Sequence, residues 1–112
     1  MHDEPELGRP FGDGRLALRV TGNAATFPFV AFAQALVDEH EGEIVERVGA
    51  LGADEVYWDI RFRGGLLTLH GQHYLGVFLC ATDEPSEELL RGMVPFVRRY
   101  LEESGTFWRS SR

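Results

Sequence analysis

The chain has 112 residues, 44% apolar and 26% charged, enough apolar surface for one folded core and too short a chain for a second domain. Eighteen acidic residues against eleven basic ones give a formal charge of −7, which repels phosphate backbones and disfavours nucleic acid as a ligand. The longest apolar run, Leu75 to Ala81, is far short of a membrane span, and the N-terminus lacks the basic-then-apolar order of a signal peptide, so a cytoplasmic protein without membrane association is expected.

Residues Met1 to Gly14 hold two prolines, three glycines and several acids without a period, and read as a flexible arm outside the core. From Arg15 to Val20, Leu16, Leu18 and Val20 alternate with Ala17 and Arg19, the period of a half-buried strand. Thr26 is the expected cap of a helix with Pro28 in its first turn. Phe29, Phe32, Ala33, Leu36 and Val37 then fall at helical spacing until Gly42. Glu43 to Val48 and Glu55 to Phe62 follow as strands joined by a turn at Leu51 to Asp54. In the second, Val56, Trp58, Ile60 and Phe62 face one way and Tyr57, Asp59 and Arg61 the other. Gly64 and Gly65 suit a tight hairpin into Leu66 to His70, and a further turn leads to a last strand, Tyr74 to Ala81. The closing helix starts near Asp83 and Pro85 and buries Leu89, Leu90, Met93, Val94, Val97, Tyr100 and Leu101, with Pro95 expected to kink or split it around Arg91. A tail, residues 106 to 112, carries Phe107 and Trp108.

The expected fold is α+β. A mainly antiparallel sheet of about five strands, in the order β-α-β-β-β-β-α, carries both helices on one face in a single domain over residues 15–105. A right-handed crossover through the first helix would set the first two strands side by side.

Chemistry concentrates in Leu69 to Val77, LHGQHYLGV. If Gly71 and Gln72 form a two-residue turn, His70 and His73 flank it on one face together with Tyr57, Asp59, Arg61 and Thr68. The same parity sends Tyr74, Phe78 and Cys80 to the core and Leu75, Val77 and Leu79 to the polar face. A one-residue slip would reverse that strand's assignment. Two histidines and a carboxylate together would resemble a facial metal triad, and a small metal-dependent or acid–base enzyme using Asp59, His70 and His73 is one reading. Cross-strand polar pairs without a ligand are the plainer one. No motif calls for a cofactor: there is no nucleophile elbow, no phosphate loop, and a lone Cys80 expected in the core away from the histidines. The acids Asp38, Glu39, Glu41 and Glu43 around His40 read as a solvated helix end.

Tyr57, Asp59, Arg61, His70, His73, Leu75 and Val77 together make a mixed apolar, aromatic and arginine patch, the composition of a protein interface. The segment WDIRFRGGLLTLHGQHYLGVFL, within residues 55–80, also resembles small bacterial immunity-type proteins, which neutralise a cognate toxin by binding it. That resemblance implies a cytoplasmic inhibitor that meets a basic toxin or effector domain with acidic and aromatic surface. The all-arginine set of basic residues suits a GC-rich bacterial origin. A homodimeric structural domain is the third reading.

Overall fold

A computed structural model describes residues 5–50 and 54–104. Eight elements follow one another: β1 (Glu6–Gly8), β2 (Ala17–Thr21), α1 (Phe29–His40), β3 (Glu43–Val48), β4 (Glu55–Phe62), β5 (Gly65–Gln72), β6 (Gly76–Ala81) and α2 (Glu84–Ser104). All strands join one antiparallel sheet in the order β1-β2-β6-β5-β4-β3. The class is α+β as expected, with six strands because part of the N-terminal arm supplies an edge.

The helices cover one face. Alternation along β4 places Val56, Trp58, Ile60 and Phe62 against Phe32, Ala33 and Leu36 of α1 and Leu90, Met93, Val97 and Leu101 of α2 in one buried cluster. Pro28 rather than Thr26 occupies the start of α1, and no side chain caps it. The helix ends with Glu41 in the left-handed conformation, φ 54°, and the Gly42 N–H returns to the Val37 carbonyl at 2.9 Å. Gly42 is needed for closeness rather than for its φ, since a Cβ there would lie 2.6 Å from the Phe62 ring. The start of α2 is held by Asp83, whose carboxylate accepts the Ser86 N–H at 2.9 Å. One helix runs continuously through Pro95, so the split that was one of the two expected outcomes does not occur. Pro95 is exposed, while Met93 and Val97 on either side are buried and hold the axis to the sheet.

Two departures from the sequence reading matter for the site. First, β2 pairs antiparallel with β6, Leu18 opposite Leu79, rather than parallel with β3; α1 carries the chain across the sheet to the far edge instead. Second, the turn after β5 has three residues, His73 to Leu75, closed by the Leu75 N–H on the Gln72 carbonyl at 3.2 Å, with Gln72 opposite Gly76. That is one residue more than a two-residue turn at Gly71 and Gln72, and it reverses β6. Val77 and Leu79 therefore belong to the helix-side core, whereas Phe78 and Cys80 lie on the opposite face.

The arm is not outside the fold. Glu6–Gly8 adds β1 to β2, the Arg9 guanidinium makes two bonds to the Glu87 carboxylate at 2.8 and 3.0 Å, and Phe11 packs against Phe78 on the second sheet face. Phe107 and Trp108 lie outside the described residues.

Candidate functional site

Strand pairing brings four of the expected residues to the second sheet face. Tyr57 lies opposite His70, Asp59 opposite Thr68, and Arg61 opposite Leu66, the geometry of cross-strand pairs. The Tyr57 ring stacks on the His70 imidazole with centroids 4.3 Å apart and planes 14° from parallel. The Tyr57 hydroxyl donates to Glu55 at 2.5 Å, and Gln72 donates to the same carboxylate at 2.7 Å. These two bonds hold the Glu55 carboxyl below its usual range, and the bond to Glu55, with burial, raises the Tyr57 phenol. The Thr68 hydroxyl donates to Asp59 at 2.6 Å, while Arg61 reaches out to Glu43 at 3.9 Å on an exposed rim.

His70 is the unusual member. The arm folds over it, Phe11 lying 5.8 Å from its ring, and only 8% of the residue is exposed. Its Nε2 atom is buried without a hydrogen-bond partner. Burial pushes the imidazole below its ordinary pKa, so the neutral ring is the resting form near neutrality. Beside it Phe11, Asp13, Arg15, Tyr57, Thr68, His70 and Cys80 line a cavity of about 220 Å³. Cys80 shares this face with His70, contrary to the parity expected from a two-residue turn. Burial nevertheless raises its thiol to about 12, so it stays protonated and is a poor nucleophile.

The other three expected residues gather elsewhere. His73 lies in the β5–β6 turn, its N–H bonded to the Asp54 carbonyl at 2.9 Å, and it borders a groove on the helix side of the sheet. Val77, expected on the polar face, is 1% exposed and forms part of the groove floor with Val56 and Gly71. Phe27, Pro28, Phe29 and Val30 from the start of α1 make the other wall, enclosing about 590 Å³. The His73 ring meets the Tyr74 ring edge-on at 4.7 Å, and beyond it Tyr74 and Leu75 are 83% and 52% exposed. Tyr74, expected in the core, instead stands at the tip of the turn.

Asp59, His70 and His73 therefore do not converge, and among the described residues no group of three His, Cys, Asp or Glu side chains is placed to hold a metal ion. Sequence reasoning missed Phe11, Asp13 and Arg15 on the second face and Phe27 to Val30 in the groove. A lone aromatic in a glycine-rich arm was the one signal for the first set; the second carried only the signature of core. Among the described residues, no helix is long and apolar enough to cross a membrane.

Taken together, these features define a small α+β domain with an apolar groove at one end of its sheet and a histidine cavity under an N-terminal arm. The chain belongs to the DUF3630 family, a family of unknown function whose model matches residues 12–92, from the arm through β2–β6 into α2. No curated protein and no solved structure matches the chain.

Proposed function

We propose that the chain is a protein-binding domain that uses the turn end of its sheet to engage a basic partner, as an immunity-type inhibitor does. One observation carries this reading. His73 and the 46% exposed Val30 line the groove, and beside His73 the turn holds Tyr74, its ring against that of His73, and Leu75 open to solvent. Large side chains kept at that exposure in the turn add little to the core, and tyrosine is among the residues that dominate binding energy at interfaces. The net charge of −7 complements a basic protein and would speed its association. Of the residues expected from sequence, His73, Leu75 and the Val77 floor belong to this surface, while Tyr57, Asp59, Arg61 and His70 lie on the other face.

The test is a calorimetric titration with the basic protein encoded beside the chain's own gene. A one-to-one complex is expected, weakened by salt because its steering is electrostatic. Tyr74→Ala should reduce affinity about 30-fold, the usual loss at an interfacial hot spot. Absence of a complex, or a complex indifferent to Tyr74→Ala and Leu75→Ala, would refute the proposal. So would a doubled mass by light scattering that Tyr74→Ala abolishes, since the groove would then be closed by a second copy of the chain.

A further inference from the structure

His70 and the arm that covers it form a unit outside the docking surface. The ring lies between Tyr57, stacked at 4.3 Å, and Phe11 of the arm at 5.8 Å, with Phe78 at 6.2 Å beside it. Its Nε2 atom is buried without a hydrogen-bond partner. Whichever nitrogen carries the proton in the neutral ring, both carry one in the imidazolium, so protonation creates a charged, buried donor with no acceptor. The groups around the ring do not compensate. The Glu55 carboxylate on β4 favours the charged ring less than burial opposes it, and it is committed to Tyr57 and Gln72. Asp59 is bonded to Thr68, Asp13 pairs with Arg15 at 3.1 Å, and Cys80 on β6 is a protonated thiol. The arm that closes this site is lightly attached. β1 has three residues, all exposed, and Arg9 holds Glu87 through a surface ion pair of a kind that contributes little. Nothing lies within 4 Å of the Cβ positions of Gly8, Gly12 and Gly14.

We propose that the arm is an acid-released strap: protonation of His70 shifts residues 9–14 from a closed position on the sheet to an open one that hydrates the imidazolium and uncovers Phe78 and Cys80. The coupling is reciprocal, because a ring that is harder to protonate under the closed arm is, by the same free energy, a ring whose protonation weakens closure. Its sign follows from burial. Under the open arm the hydrated ring titrates near its ordinary value of about 6.5, whereas the closed arm holds it lower. Above that ordinary value both states are neutral and the arm stays closed. As pH falls from there, the open-to-closed ratio rises by up to about 10-fold per pH unit, and it levels off below the closed-state value. The Glu87 carboxylate, held below its ordinary range first by its bond from Arg9, stays ionised above about pH 5, so the ion pair of the arm does not act in this window.

Cys80 reports the opening, since it is buried in the cluster against which Phe11 packs. Full-length protein is reacted with 4,4′-dithiodipyridine between about pH 7.5 and about pH 5, and each rate is divided by that of urea-unfolded protein at the same pH, which removes the titration of the thiol itself. The relative rate is expected to stay level above about pH 7 and to rise about 5-fold by about pH 5.5. In parallel the Gly14 amide, bonded to the Phe11 carbonyl at 3.1 Å, should lose protection from hydrogen exchange while the Leu67 and Leu69 amides of the central strand β5 keep theirs. His70→Phe should make the relative rate independent of pH. If that variant fails to fold, Phe11→Ala decides: it should label faster at neutral pH and lose the rise. A level rate in the unaltered protein, a rise that survives in either variant, or a rise matched by lost protection at Leu67 and Leu69 would each overturn the proposal, the last because Cys80 would then be reached by global unfolding.

Discussion

Gly76 tests the pairing on which both surfaces depend. It sits at φ +119°, and a Cβ built there would lie 2.1 Å from the Thr21 carbonyl oxygen and 2.9 Å from the Gly22 Cα. Both neighbours are backbone, and Thr21 is held opposite Val77 in the β2–β6 ladder, so the clash can be relieved only by moving one strand against the other. Gly76→Ala should therefore cost about 1–3 kcal/mol for the backbone conformation, and a similar amount for the overpacking, roughly 2–6 kcal/mol together. At about 4 °C per kcal/mol for a domain of this size, the melting temperature should fall by about 8–24 °C. Gly64→Ala separates the two contributions. Gly64 also has a positive φ, +103°, but nothing lies within 4 Å of its Cβ position, so only the conformational cost applies. Thermal and urea unfolding followed by far-ultraviolet circular dichroism would measure both variants. If Gly76→Ala cost no more than Gly64→Ala, β2 would not approach β6 at that point, and the sheet order would be wrong.

Ser86 is fully buried and its Oγ accepts the Leu66 N–H at 3.2 Å, so Ser86→Ala strands a backbone donor and should lose about 1–3 kcal/mol in urea unfolding; no loss would mean that the donor finds another acceptor. The lowered pKa of His70 makes stability depend on pH. The folded protein favours the neutral ring, so this contribution is complete above the unfolded value of about 6.5 and is lost as pH falls from there through the lower folded value, with a slope of at most ~1.4 kcal/mol per pH unit. Glu55, Asp83 and Glu87, also lowered, act in the same direction but only below the ordinary carboxylate range, so the windows are distinct. His70→Phe should abolish the upper slope, and its persistence would assign the slope to another group. Phe11→Ala should lose about 1–2 kcal/mol, less than the loss from a fully buried ring, and move the His70 titration measured by NMR up toward its ordinary value; an unmoved titration would mean that Phe11 does not exclude water from the ring.

How much of this could be read from the chain depends on whether a strand has two unlike faces. In β4, apolar Val56, Trp58, Ile60 and Phe62 alternate with Tyr57, Asp59 and Arg61, and each set lies where period two puts it. In β6 the run Gly76 to Ala81 is buried throughout, because helices cover one side and the arm the other. Its sequence carries no alternation, so its parity hung on the length of the preceding turn. Gly71 and Gln72 look like turn residues, but they continue β5, so His70 faces Phe78 rather than His73, and this odd shift of register exchanged Val77 and Leu79 with Phe78 and Cys80. The crossover misled for a related reason. A strand–helix–strand succession favours parallel neighbours, yet here the chain passes from β2 through α1 to β3 at the far edge of the sheet, and β2 closes against the last strand, a choice made by long-range packing that no local window contains.

The two surfaces have a common origin in that arrangement. A sheet with both helices on one face leaves its other face to water unless something else covers it. Central strands bearing Tyr57, His70, Phe78 and Cys80 cannot be left so, and the short arm can bury only part of that face. Phe11 closes over Phe78 and His70 but leaves the 220 Å³ beside them, which a full helix would have filled. On the helix side the cover is incomplete at one end, where α1 begins with Pro28, uncapped, and stands clear of the β5–β6 turn. Each opening is therefore where a covering element runs out, and each is lined by side chains larger or more polar than a solvated loop requires. A sequence selected for stability alone would replace Tyr74 with a polar turn residue and His70 with an aliphatic one. Retaining an exposed tyrosine at one opening and an orphaned imidazole at the other costs stability at two separate places, which is the pattern expected where function rather than folding sets the residue.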